Sequence, residues 1–424
     1  MNKKKIIPKL VNRIEAMKML QIAMLLMFLF QACASSEIDD MESGGEDQEE
    51  ETNEHEDNTS EEVVIDLPID YSWDDGIPVF FHFWKGQMLT EEEVDFVADH
   101  TDLVVLEKAH GRDDYDVFEA IQRETIALKA ANPEVKVIYY WNTVLQYDFY
   151  ELMEEYDNHP EWWLYDVNGE IDYKAGTTIK RYDLSNPAVR DWWISVAKDA
   201  TINGFCDGIF MDAYGQVSLS SNIALWGQEK YDAINAGLEL LIAETRAELG
   251  PDQLLIYNGL RSHNSTDYTQ GMEFLPAHDA AMMEHFAYFN STSKEAILRD
   301  IEAIQAAGKL GKMVLVKAWP GFSWLDETEM AESEEWKIQT AKDRIEFNLA
   351  LFLLGAHEGA YFGYTWGYQW ENGWGVDYEI LNKSPGKPLG DFKTNNWTLS
   401  RSFENAEVTA DLNAMTASIK WLND

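Results

Sequence analysis

Short apolar runs, each bounded by polar positions, recur along the chain at residues 79–81, 103–106, 137–140, 209–211, 254–257, 281–283, 313–316 and 360–362. Runs of this length lack polar alternation, which fits strands buried on both faces of a parallel sheet. Between them lie longer segments with apolar residues at helical spacing, such as Val189, Trp192 and Val196, or Ile345, Leu349 and Leu353. Eight strands alternating with helices predict an α/β chain folded as a (β/α)8 barrel. The competing arrangement is an open doubly wound sheet, but no glycine-rich phosphate loop follows the first run. No period of 20 to 50 residues repeats, so a solenoid is excluded.

Local signals set the helix ends. Thr90 followed by Glu93 reads as a capping box, and Asn186-Pro187 as a cap with proline in the first turn. Gly204, Gly250-Pro251, Gly308 and Gly355 read as stops, and Thr292 with Glu295 as another start. Residues 147–181, between the third strand and its helix, form a long loop rich in aromatics and carboxylates, and loops of that length are usually functional. Beyond Phe362 the helical period is lost. Residues 397–400 and 407–409 suggest a terminal β hairpin packed on the barrel.

The ends set the domain organisation. Basic residues Lys3 to Lys18 precede an apolar run, 19–30, that is too short to span a bilayer and ends at Ala32-Cys33. This predicts a lipoprotein signal peptide over 1–33, with Cys33 the lipidated residue, although Met17 also makes a complete short signal. Residues 34–62 hold 14 acidic side chains and no Lys or Arg, so 34–64 reads as a disordered acidic tether. The catalytic barrel is assigned to 65–370 and the C-terminal extension to 371–424. An acidic run directly after a lipidated cysteine resembles the export signal of Bacteroidetes-type surface lipoproteins. That resemblance implies the outer membrane or cell surface of a Gram-negative bacterium, with membrane attachment only through the lipid at Cys33.

Charge narrows the partners. The full chain carries a net −43, and 61 acidic against 27 basic residues follow Glu62. Nucleic acid and anionic membrane surfaces are therefore poor partners, and no nucleic acid is expected. A neutral substrate or a saline habitat suits such a surface, and a local basic pocket remains compatible with it. Cys206 is the only cysteine after the leader, so there is no disulfide framework, and its apolar surroundings mark it as packing. The expected state is a monomer without cofactor or metal.

In a barrel the active site is built where strands end and their loops begin. One to three residues past each run stand His82, Glu107, Asn142, Asp212, Asn258, Glu284, Lys317 and Tyr364. Trp84, Trp141, Trp319 and Trp366 accompany them, from a chain with 16 tryptophans. Flat indoles stack on sugar rings while carboxylates, amides and lysine hold hydroxyls, so the ring of polar ends with its tryptophans reads as a carbohydrate-binding site. Glycosidic hydrolysis requires one carboxylic acid and a second carboxylate as nucleophile or base. Asp212 closes the run Gly208-Ile209-Phe210-Met211, and Glu284 follows Ala281-Met282-Met283 two strands later. Side chains of the fourth and sixth strands can converge across a barrel mouth, with Glu107 as a third carboxylate able to act as acid or to orient one.

The succession His159-Pro160-Glu161-Trp162-Trp163, then Tyr182-Asp183-Leu184-Ser185-Asn186-Pro187 through Trp192-Trp193, then Asp207 to Asp212, resembles barrel glycosidases of the α-galactosidase and α-amylase type. It resembles more closely the set called hypothetical glycosyl hydrolase family 15. The stretch Gly386-Lys387-Pro388-Leu389-Gly390 through Arg401-Ser402-Phe403-Glu404-Asn405 is similar to the closing segment of such proteins. The resemblance covers most of residues 75 to 410. It implies Asp212 as the strand-four nucleophile or base and Glu284 as the strand-six acid, where α-galactosidase-type barrels carry Asp. Retention and inversion both stay open at this point. Two other functions compete: a non-catalytic surface glycan-binding lipoprotein, and a metal-dependent hydrolase. The second lacks support, because His110, His263, His278, His285 and His357 form neither a His-x-His nor a His-Glu-x-x-His pattern.

Overall fold

Strands β1 (Phe81–Phe83), β2 (Leu103–Leu106), β3 (Lys136–Asn142), β4 (Gly208–Asp212), β5 (Leu254–Asn258), β6 (Ala280–Phe286), β7 (Met313–Ala318) and β8 (Ala360–Tyr364) pair in parallel, in chain order. This is a computed structural model, and it describes residues 67–69, 71–260 and 271–422. The predicted leader, Cys33 and the tether lie outside them. A parallel bridge from Val79 to Phe362, with the Phe362 N–H donating to Pro78 at 2.9 Å, draws the last strand to the first. Val79 is engaged in that seam, which is why β1 begins two residues later than its apolar run.

The main crossover helices are α1 (Glu91–His100), α2 (Val117–Ala131), α3 (Pro187–Ala200), α4 (Gln228–Leu249), α5 (Lys294–Lys309) and α6 (Glu334–Gly355). Thr90 and Glu93 make the reciprocal capping box on α1, and Asn186 caps α3 through the Ala188 N–H. Three of the expected boundaries differ. Helix α3 stops at Ala200, ahead of Gly204, and Ser293 rather than Thr292 caps α5. Gly308 lies inside α5, where a Cβ would stand 2.1 Å from the His357 ring, so it marks close packing rather than a stop.

Alternation along the strands sorts the side chains into two layers. Phe80, Val105, Ile138, Tyr140, Phe210, Ile256, Met282, Leu315 and Tyr361 belong to one buried cluster drawing on all eight strand segments, which is the barrel interior. The opposite parity packs against the helices: Tyr139 and Trp141 meet Tyr150 and Trp193, and Phe362 meets Phe352 of α6. The polar residues that continue the inward columns at the strand ends reach the mouth.

The connection after β3 is more ordered than a loop. It contains a short helix, Met153–Asp157, and isolated antiparallel bridges from Leu145 to Arg181 and from Tyr173 to Lys180. At the C-terminus the expected hairpin is the centre of a four-stranded antiparallel sheet, β9 (Lys393–Asn395), β10 (Thr398–Ser402), β11 (Ala406–Asp411) and β12 (Thr416–Trp421). Arg401 ties that sheet to the barrel. Its buried guanidinium donates to the carbonyls of Leu353, Leu354 and Ala356, groups that the end of α6 leaves without helical partners.

Candidate active site

Inward parity brings Asn142 of β3, Asp212 of β4, Asn258 of β5 and Glu284 of β6 side by side. The Asn258 amide nitrogen donates to Asp212 Oδ1 at 3.0 Å and to Glu284 Oε2 at 2.9 Å. The two hydrogens of one amide nitrogen diverge by about 120°, which sets those oxygens about 5 Å apart; no arrangement lets them exceed about 6 Å.

Asp212 is dense in donors. Tyr140 Oη and Asn142 Nδ2 meet Oδ2, the former in a very short hydrogen bond, the latter at 3.1 Å. Oδ1 accepts from Asn258 and, at 2.7 Å, from the N–H of Ala213, a residue in the left-handed region (φ 74°). Glu284 accepts from Tyr368 Oη at 2.8 Å on Oε1, and His285 Nε2 lies 3.8 Å from Oε2. Burial and the charge of Glu284 raise the pKa of Asp212, opposed by Tyr140, Lys108 and Asn258. Burial also pushes Glu284 upward, but His285, Asn258, Tyr368 and His82 outweigh it and hold Glu284 below its ordinary value. Tyr140 and Tyr368 are pushed far up, first by burial and then by the carboxylate charges, so both stay donors.

Glu107 stands behind this pair. It bonds His82 Nε2 at 2.9 Å and Lys108 Nζ at 2.7 Å. Burial would raise its pKa, yet Lys108 and His82 hold it down to about 2, so it is ionised at any ordinary pH. His82 packs edge-on to Phe210 and Tyr368 and links this layer to the tyrosine that meets Glu284.

The remaining predicted contacts divide. Trp84 is half-buried against the top of the interior cluster and stays at the mouth. Trp141 does not: it has outward parity, is 1% exposed, and donates its indole N–H to Trp193 O in α3. Tyr364 points outward too, its hydroxyl donating to Ala341 O of α6. Trp366 is fully buried against Phe322. Lys317 faces inward, but its ammonium donates to the carbonyls of Ala318 and Thr365 and lies 3.5 Å from the Trp319 ring centre. Burial pushes its pKa well down, against the pull of Glu284. Trp319, 1% exposed, donates to the backbone carbonyl of Glu284 and braces that residue from behind. None of these five presents an open face to a ligand.

Sequence reading missed Tyr140, Lys108 and Tyr368. Tyr140 was recoverable, because it shares parity with Asn142 two residues on. Lys108 simply follows Glu107. Tyr368 lies in the loop after β8, where no period announces which side chain turns back into the mouth. Among the described residues no group of three or more His, Cys, Asp or Glu is placed to hold a metal ion.

A family model described as hypothetical glycosyl hydrolase family 15 matches residues 129–407. No curated protein matches the sequence. Solved structures similar to this chain include an α-galactosidase from Thermus thermophilus, at 12% identity and a TM-score of 0.46, over 82% of this chain and 68% of that one. Another is a noncanonic maltogenic α-amylase from Thermotoga neapolitana, at 11% identity and a TM-score of 0.43, over 80% of this chain and 86% of that one.

Proposed function

The chain belongs to hypothetical glycosyl hydrolase family 15, and from that membership as a glycoside hydrolase we propose that it cleaves a poly- or oligosaccharide with retention, Asp212 acting as nucleophile and Glu284 as general acid and then base. One observation carries this reading: Asp212 and Glu284 share the amide of Asn258. That fits the ~5–5.5 Å separation of retaining carboxylates and leaves too little room for the water of an inverting site, which needs ~6.5–9.5 Å. Protonated Glu284 gives its proton to the glycosidic oxygen as Asp212 attacks the anomeric carbon, and the leaving sugar departs as an alcohol. Water, deprotonated by Glu284, then breaks the glycosyl ester and regenerates both groups.

Hydrogen-bond polarity supports this division of roles. A proton on Asp212 Oδ1 would face only the N–H groups of Ala213 and Asn258, and one on Oδ2 would face the Asn142 amide and the Tyr140 hydroxyl. Four donors favour the charged form of Asp212, as a nucleophile requires. Glu284 has fewer donors and is free to carry a proton. The pKa directions of the pair favour the reverse roles, with Asp212 as acid, because Asp212 is raised and Glu284 lowered. A bound glycoside displaces water from both groups, while these four donors remain on Asp212 and hold it charged.

The test compares Asp212→Asn and Glu284→Gln on two substrates. Each variant loses ~10²–10⁴-fold in kcat/KM on a natural glycan. An aryl glycoside with a leaving group of low pKa needs little protonation, so it restores Glu284→Gln and leaves Asp212→Asn inactive. Rescue of Asp212→Asn instead assigns the reverse roles. Full activity in both variants removes the pair from the mechanism, and loss on Glu107→Gln would then point to Glu107 as the acid. A wild type that binds glycans but releases no reducing ends from any of them is a non-catalytic glycan-binding protein.

The chain acts, in this account, as a monomer at the outer face of a Gram-negative cell, held by lipid on Cys33. Cys33→Ser shifts it from the membrane fraction to the soluble fraction; retention in the membrane rules out that anchor.

A further inference from the structure

We infer that Arg112 forms an anion subsite at the rim of this cleft, and that the glycan bound there carries a negatively charged group, a carboxylate or a sulfate ester. The inference rests on the glycosidase reading and names the substrate class of that same site.

Arg112 lies in the loop after β2, four residues beyond Lys108. Its guanidinium lies over the Trp84 ring at 5.1 Å and over the Phe149 ring at 5.8 Å. Trp84 closes the top of the interior column that holds His82, so Arg112 stands at the mouth on the β1 side. Among the described residues its N–H donors have no hydrogen-bond acceptor; the nearest carboxylate, Asp113, is 3.8 Å from Nε. Asp113 is itself engaged, accepting from Gln87 Nε2 at 2.9 Å.

The position is held from both sides. The Gly111 N–H donates to Lys85 O and the Asp113 N–H to Gly86 O, each at 2.8 Å, so the backbone around Arg112 is fastened to the β1 loop. Gly111 permits this with φ 68°, at a point where a Cβ would meet the Ala120 side chain at 2.4 Å. The side chain is 31% exposed. Cation–π contact with the two rings uses none of the guanidinium N–H groups as a hydrogen bond to an acceptor, so they remain able to donate. A planar fork held this way matches the two oxygens of a carboxylate or sulfate.

A second cation lies between this rim and the nucleophile. Lys108 sits 4.3 Å over the Tyr140 ring and 5.0 Å over the Tyr147 ring, and Tyr147 stacks on Phe149, the second ring under Arg112. Cations held on aromatic faces thus run from Arg112 toward Asp212. The overall net charge of −43 opposes an anion only at long range, since surface fields decay over about 8 Å at physiological ionic strength. At the rim an anion would share the Arg112 guanidinium with Asp113, which lies at 3.8 Å and outside hydrogen-bond range.

Calorimetric binding to the full chain carrying Glu284→Gln tests this without turnover. The probes are a hexuronate oligosaccharide, its carboxyl-reduced neutral counterpart, and a sulfated oligosaccharide. Binding of one acidic probe, lost about 10–100-fold in Arg112→Gln and only partly recovered in Arg112→Lys, supports the subsite. The acidic probe that binds identifies carboxylate or sulfate as the source. A merely structural Arg112, bracing Trp84 and Phe149, would weaken the acidic and neutral probes equally, and that result overturns the inference. So does binding of neutral glycans with no acidic probe bound. Failure of the glycosidase reading is separate: it leaves binding intact while the wild type releases no reducing ends.

Discussion

Tyr140 and Tyr368 each place one phenol on one of the two central carboxylates, and each lowers the pKa of the group it meets. Replacing either by Phe therefore raises the pKa of its partner. With Asp212 needed ionised and Glu284 needed protonated, Tyr140→Phe moves the acid limb of the kcat/KM profile upward and Tyr368→Phe moves the alkaline limb upward. Reversed roles exchange the two limbs, so a pH profile of each variant decides the matter. At this scale much of the site was legible from position alone. His82, Glu107, Asn142, Asp212, Asn258 and Glu284 were found because each stands within three residues of the end of an apolar run, and inward parity then carries all six to the mouth. What parity cannot reach is a loop residue such as Tyr368, whose place depends on the turn between β8 and the helical turn Trp370–Asn372.

Strand β3 shows what alternation adds to a run of apolar residues. Tyr139 and Trp141 face the helices while Tyr140 and Asn142 face the site, although all four are consecutive residues of one strand. Proximity to the strand end suggested that Trp141 and Tyr364 touch ligand; the parity of their own strands places both in the outer layer. Trp141→Ala therefore lowers stability by roughly 3–5 kcal/mol, as for other large buried side chains, and leaves KM unchanged. A KM effect in the folded variant would return Trp141 to the site. The C-terminal sheet carries a second element-scale prediction. Arg401→Met leaves the carbonyls of Leu353, Leu354 and Ala356 buried without their donor, at roughly 1–3 kcal/mol for each group left unsatisfied. Thermal unfolding then begins at a lower temperature, and proteolysis between α6 and β10 becomes faster. Only the centre of that sheet was legible in sequence. Every residue of β9 is exposed, and β12 buries Ile419 alone, so neither carries an apolar pattern.

For the molecule as a whole, the excess of acidic residues argued against nucleic acid and anionic membranes as partners, but composition averages over the surface and conceals Lys108 and Arg112 at the mouth. Acid sensitivity follows from the same charge inventory. Glu107 titrates at about 2 when folded, against about 4.3 for a free glutamate. Its contribution to stability is therefore complete above the unfolded value and is lost as pH falls from there toward 2. Glu107→Gln is less stable than wild type at pH 7, and the gap closes between pH 5 and pH 2. A gap independent of pH would separate Glu107 from acid unfolding. The central claim, a retaining pair with Asp212 as nucleophile, is tested most directly by trapping its covalent intermediate. A fluorinated glycosyl fluoride of the cleaved sugar, left to react and followed by peptide mass mapping, should add one glycosyl group to Asp212. An adduct on Glu284 or on any other side chain would contradict it.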